Sequence, residues 1–175
     1  QEAPGVYNDT ILAGLDYLLM EMDKRKMVAV LYLNNSWEWS GGYGYYLEQA
    51  GLGKAPRPDE DGYPAFMNFV AQCASCDKAH QLFYDYVRFI LTRTNRYTKK
   101  KYKDDPAIMS WQIGNEPRAF SKEQLPAFEK WLGETSKLIR SLDKNHLISI
   151  GSEGKWGCEN ELDCWERICA DRNVD

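Results

Sequence analysis

No apolar run in this chain approaches the roughly 20 residues that a membrane-spanning helix needs, so none is expected. Basic charge is also scarce, with Lys and Arg together at 22 against 26 Asp and Glu for a net charge of -4. Nucleic-acid binding wants a basic face, so that balance argues against it. The one basic run, Lys99-Lys100-Lys101 with Lys103, is read as a solvated loop. Histidine occurs twice, as His80 and His146, and neither has the neighbours a nucleophilic triad requires. The glycines of 41–44 are not followed by Lys-Ser or Lys-Thr, which excludes a phosphate loop. Cys73 and Cys76 have the spacing of zinc ligands but lack two further ligands at compatible spacing. Five cysteines are many for a cytosolic enzyme of this size and favour an oxidising compartment. Their odd number leaves at least one thiol unpaired, and one or two disulfides or inert buried thiols both remain open. No internal repeat and no interdomain linker interrupts the 175 residues, which are read as one unit, and no leader is read at Gln1.

What is present follows α/β logic. Asn8-Asp9-Thr10 offers caps for an amphipathic helix over about 9–24, with Ile11, Leu12, Leu15, Leu18, Leu19 and Met22 at helical spacing. Met27 to Leu33 is apolar throughout, as in a parallel strand covered on both faces. Residues 34–64 are rich in Gly, Pro and aromatics and read as a long functional loop. A helical region over about 65–96, broken near Cys73–Cys76, precedes a second strand over about 107–113. Ser121 and Gln124 form a capping box for a helix reaching Leu142. A third strand over about 145–151 and a short helix over about 161–170 follow, and Asn173-Val174-Asp175 reads as the start of a fourth strand. Helices alternating with apolar strands imply right-handed crossovers and parallel neighbours, here in chain order.

The most informative stretch is Ile108 to Arg118. A short apolar strand set up by Asp104-Asp105-Pro106 ends in Asn115-Glu116-Pro117, which delivers an amide and a carboxyl to the rim where ligands of α/β proteins sit. Pro117 is expected to hold Glu116 extended. The alternative is a helix cap or a surface turn. Asn34, Asn35 and Trp37 follow the first strand in the same way, and Trp39, Tyr43, Tyr45 and Tyr46 crowd the loop beyond. Aromatic planes stack on the C–H faces of sugars, although core packing also claims aromatic residues.

The order of these segments resembles glycoside hydrolase family 5, and within it the endo-β-mannanases. The matching segments are Pro4-Gly5-Val6-Tyr7-Asn8, Gly14-Leu15-Asp16, Asn34-Asn35-Ser36-Trp37, Leu91-Thr92-Arg93-Thr94-Asn95, Tyr102 to Ile108, Trp111, Gly114 to Arg118, Ser141-Leu142-Asp143, Asn145-His146-Leu147 and Gly151 to Gly154. The family usually has Asn-Asn-Trp without a break, whereas Ser36 intervenes here. The resemblance implies a (β/α)8 barrel, which needs about 250 residues. The chain is therefore expected to be a partial catalytic domain over 1–175, carrying barrel strands three to five, with its first residue a start inside a longer chain. Retaining glycosidases use two carboxyls about 5–5.5 Å apart. The resemblance makes Glu116 the acid/base and Asn115 the partner of the sugar 2-hydroxyl. It gives Asn35, Trp37, Arg118 and Glu153 to substrate binding, with a structural Arg118–Glu153 salt bridge an equal and compatible reading. A second carboxylate and packing of the Trp111 type are expected around Glu116.

The family's nucleophile is a Glu on strand seven, beyond this chain, and no Glu here replaces it. The implied function is a retaining endo-β-1,4-mannanase acting on mannan or glucomannan, with no metal and no cofactor. The alternatives are a related β-1,4-glucanase or a non-catalytic carbohydrate-binding module. A secreted, periplasmic or cell-surface location is expected. So are inactivity of the isolated chain and its self-association through open barrel edges.

Overall fold

The computed structural model describes residues 3–175, and Gln1, where no leader was read, lies outside the described residues. Helix α1 (Asp9–Lys24) starts where predicted, with the Asn8 side chain accepting from the Ile11 N–H at 3.0 Å. Strands β1 (Ala29–Tyr32), β2 (Ile108–Gln112) and β3 (Leu147–Ser149) form one parallel sheet in the order β1-β2-β3. Helices α5 (Asp77–Thr92) and α6 (Leu125–Leu142) make the crossovers, and α7 (Leu162–Cys169) follows β3. The Asp175 N–H donates to the Ile148 carbonyl at 3.0 Å, beginning to pair with β3 without forming a strand.

Alternation along the strands gives the sheet two faces. The row Leu31–Trp111–Ile148 turns toward the helices, where Trp111 and Ile148 are buried with Phe83, Val87, Leu91, Phe128 and Ile139. The rows Val30–Ser110–Leu147 and Tyr32–Gln112–Ser149 occupy the opposite face. There Val30, Tyr32 and Leu147 remain 44%, 51% and 48% exposed.

Residues 34–64 are not the loop expected. They contain α2 (Gly42–Ala50), the short α3 (Pro58–Asp61) and the start of α4 (Tyr63–Val70). Glycine weakens the local helical signal of α2, but a Cβ on Gly42 would lie 2.1 Å from the Asn35 carbonyl, so tight packing requires glycine there. Tyr43 and Tyr46 consequently face the core rather than the rim, with Tyr43 edge-on to Trp131 at 5.5 Å. The capping box at Ser121 does not form. A 3-10 turn over Lys122–Gln124 precedes α6, and Ser121 makes no side-chain cap bond.

His146 is locked between Asp143 Oδ2 at 2.7 Å and the Asp105 carbonyl at 2.9 Å, two acceptors that together call for a proton on each ring nitrogen. Burial alone would lower its pKa, but the Asp143 carboxylate and the Asp105 carbonyl raise it. Burial likewise opposes ionisation of Asp143, but bonds from His146, Trp111 Nε1 and two backbone amides bring its pKa down to about 2. A raised histidine pKa contributes stability that is fully present below the unfolded value of about 6.5 and disappears as pH rises through the folded value. The Asp143 contribution is present above its ordinary value and is lost as pH falls toward about 2. His146→Gln is thus expected to destabilise by about 2 kcal/mol near pH 6. Thermal midpoints should show that gap narrowing in alkaline buffer; a constant gap would mean that the imidazolium contributes nothing.

Candidate active site

The strand ladder continues past the strand ends and carries the site. Asn35 and Asn115 form a parallel bridge, with the Asn115 N–H donating to the Asn34 carbonyl at 2.8 Å and the Ser36 N–H to the Asn115 carbonyl at 3.3 Å. On the other side the Glu116 N–H donates to the Gly151 carbonyl at 3.2 Å. A Cβ on Gly151 would lie 2.0 Å from the Gly114 carbonyl, so glycine permits this approach of the β3 end to the β2 end. Asn35, Glu116 and Glu153 accordingly follow the same end of the sheet, as the sequence predicts.

Glu116 is not extended. Its φ is +52°, in the left-handed region, although Pro117 follows. Backbone bonds to β1 at Asn115 and to the β3 side at Glu116 fix the chain before it turns, and they override the local preference. Glu116 Oε2 accepts from Trp37 Nε1 at 2.7 Å. Trp111, expected to pack over this carboxyl, instead faces the helices and donates to Asp143 at 2.7 Å, because its strand position points away from the opposite sheet face.

The Asn35 side chain organises the rim. Its Oδ1 accepts from the Trp37 N–H at 3.1 Å and from Asn115 Nδ2 at 3.4 Å, and its Nδ2 donates to Ser40 Oγ at 3.3 Å. The extra Ser36 does not displace Trp37. Ser36 Oγ accepts the Arg118 N–H at 3.2 Å and ties the first loop to the second. Arg118 donates through Nε and Nη2 to Glu153 Oε1, and its guanidinium lies 5.2 Å from the Trp37 ring centroid and 5.8 Å from that of Phe120. All six predicted site residues therefore form one connected rim.

A cavity of about 340 Å³ lies against it, lined by Trp37, Trp39, Tyr63, Met67 and Glu116. Tyr63 donates from its hydroxyl to Glu38 at 3.1 Å and meets Trp37 edge-on at 6.1 Å. Sequence reasoning passed over Tyr63, Met67 and Phe120. Gly62-Tyr63-Pro64, a helix start with Pro in its first turn, was the available signal for Tyr63. An apolar, aromatic wall with one carboxyl suits a polyhydroxylated, uncharged ligand. Among the described residues no group of three or more His, Cys, Asp or Glu side chains is arranged to hold a metal ion.

Residues 1–175 match the family model described as GH family 5 beta-mannosidase-like. Mannan endo-1,4-beta-mannosidase 4 of Solanum lycopersicum is 36% identical over 160 residues, covering 90% of this chain and 37% of that protein. Mannan endo-1,4-beta-mannosidase 1 of Arabidopsis thaliana is 34% identical, with 90% and 34% covered. Among solved structures, the glycoside hydrolase family 5 mannosidase from Rhizomucor miehei superposes with a TM-score of 0.86 at 35% identity, covering 100% of this chain and 41% of that one. The hyperthermostable endo-1,4-beta-D-mannanase of Thermotoga petrophila, at 23% identity and a TM-score of 0.80, shows the fold alone, with 99% and 51% covered. The three parallel strands and their helices are an incomplete (β/α)8 barrel. The chain spans about a third of the length of the curated relatives it matches.

Proposed function

The chain belongs to glycoside hydrolase family 5, in its beta-mannosidase-like group, and from that premise we propose that it is the acid/base-bearing part, over 1–175, of a retaining endo-β-1,4-mannanase catalytic domain. The observation that carries this reading is Glu116 at the β2 end, joined to Trp37 and opening on the aromatic cavity. Glu116 protonates the glycosidic oxygen as its bond to the anomeric carbon breaks, while a carboxylate from outside this chain bonds to that carbon. Glu116 then removes a proton from the water that hydrolyses the glycosyl ester, which restores both carboxyls. Asn115 holds the sugar 2-hydroxyl, a bond that strengthens as positive charge develops on the ring. Trp37, Arg118 and Glu153 border the sugar path, and Asn35, buried beneath them, holds Trp37 and Asn115 in place.

Mannan is favoured over cellulose by the beta-mannosidase-like match and by the names of the relatives. The enzyme is extracytoplasmic in this reading, which the Cys158–Cys164 disulfide supports. The test is hydrolysis of β-mannan and carboxymethylcellulose by a protein that carries the remaining strands, with NMR of the newly formed sugar end. Mannan cleavage giving the β anomer first is the expected result; α anomer first, or cellulose cleaved in preference, overturns the reading.

The 175-residue chain alone self-associates in this reading, because Val30, Tyr32 and Leu147 leave an apolar strip on the open sheet face and β1 presents an open edge, as β3 does apart from the Asp175 bonds to Ile148. Sedimentation velocity at micromolar concentration should show species larger than 20.2 kDa. A single monomeric boundary would contradict it.

A further inference from the structure

Trp37 is placed differently from a free sugar platform. One face carries the Arg118 guanidinium, Phe120 meets it edge-on at 5.4 Å and 89°, and Tyr63 at 6.1 Å and 85°. Its backbone N–H is held by Asn35 Oδ1. Such a ring has little freedom to adapt to a substrate, and the one polar atom it owns is aimed at Glu116. Trp39 lines the same cavity and is 55% exposed, so it is the better-placed stacking surface.

We propose that Trp37 is a positioning residue for the acid: its indole N–H holds Oε2 of Glu116, so that Oε1 is the oxygen that carries and delivers the proton. The inference rests on the mannanase reading and deepens it. An indole N–H donates and never accepts, and the carbonyl oxygen of a protonated carboxyl accepts better than its hydroxyl oxygen, so the bond favours Oε2 as the unprotonated oxygen. In the acid form the proton therefore belongs on Oε1, which has no protein hydrogen-bond partner among the described residues. The carboxyl plane is fixed as well, because Trp37 is fixed. General acid catalysis depends on the donor oxygen lying within hydrogen-bond reach of the leaving oxygen, and misplacement by about 1 Å costs roughly 100-fold. Arg118 and Glu153 then act in part through Trp37, since the neutralised guanidinium clamps its ring.

The experiment is a double-substitution cycle in the protein that carries the complete barrel, using β-mannan and an aryl β-mannoside with a good leaving group. Trp37→Phe keeps a ring and removes the N–H. It should lower kcat on mannan by about 30-fold with KM within about twofold, and spare glycosylation by the aryl substrate, which needs little protonation. Adding Trp37→Phe to Glu116→Gln should cost nothing further, because the two residues act as one unit. Trp37→His, a smaller ring that keeps an N–H, should be faster on mannan than Trp37→Phe. A KM rise at unchanged kcat, multiplicative losses in the double variant, or a slower His variant would overturn the proposal. Wild-type mannan rates in Glu116→Gln would sink the acid assignment itself, so failure of the underlying reading is seen separately.

Discussion

Glu116→Gln is expected to lower hydrolysis of β-mannan by about three orders of magnitude in a protein that carries the whole barrel. The substitution keeps the size of the side chain and an acceptor for Trp37 Nε1, so the rim should persist while the transferable proton is lost. An alkoxide leaving from a mannan unit needs that proton, whereas an activated phenolate does not. The glycosylation step of an aryl β-mannoside should therefore be nearly untouched, with deglycosylation slowed because water loses its base. The 175-residue chain alone should release no sugar from mannan, since one carboxyl is half of the mechanism. Initial rates on both substrates decide the matter. Mannan hydrolysis within a few-fold of wild type in Glu116→Gln would remove Glu116 from the mechanism.

The largest stability effect is expected at Asp16, far from the rim. This buried carboxylate accepts from Arg93 Nε at 3.0 Å and Nη2 at 2.7 Å, from the Tyr102 hydroxyl at 2.6 Å and from the Arg96 N–H at 3.3 Å. Its own carbonyl accepts from Asn95 Nδ2 at 2.8 Å. One residue of α1 thus holds the turn after α5 and the approach to β2. Burial by itself would raise its pKa, but the Arg93 and Tyr102 bonds lower it, so the contribution is present above the ordinary carboxylate value and is lost as pH falls. Asp16→Ala leaves the largely buried Arg93 with the exposed Asp9 carboxylate at 3.5 Å as its ion-pair partner and should cost about 3 kcal/mol. Urea unfolding at neutral pH measures this, and a loss below about 1 kcal/mol would place the cluster among weak surface pairs.

How much of this was legible depended on whether the signal was local. The apolar runs at 27–33 and 107–113 announced β1 and β2, although helices cover one face only and Val30 and Tyr32 stand exposed on the face expected to be covered as well, and Asn8 announced α1 because a cap is a property of one turn. The six candidate residues, chosen by the family resemblance, follow strand ends, and parallel strands bring Asn35, Trp37, Asn115, Glu116, Arg118 and Glu153 together there. What failed was set by distant partners. Helix α2 carries Gly42, explained by the Asn35 carbonyl packed against it, and Gly44, which meets the Ala55 side chain. Trp111 falls on the helix-facing row of β2, a side that the unbroken apolar run does not reveal, and Ser121 satisfies local capping rules yet enters a 3-10 turn. Pairing of Cys158 with Cys164, leaving Cys73, Cys76 and Cys169 free, followed from the turn that joins Gly154–Cys158 to α7 rather than from spacing alone.

The left-handed backbone at Glu116 sets stability against the acid/base role proposed for that position. A glutamate there bears a conformational cost of about 1 kcal/mol or more that glycine would escape and asparagine would feel less. Selection for folding alone would therefore drift away from the carboxyl, and a library at this position ranked by melting temperature would place the active sequence below inactive ones.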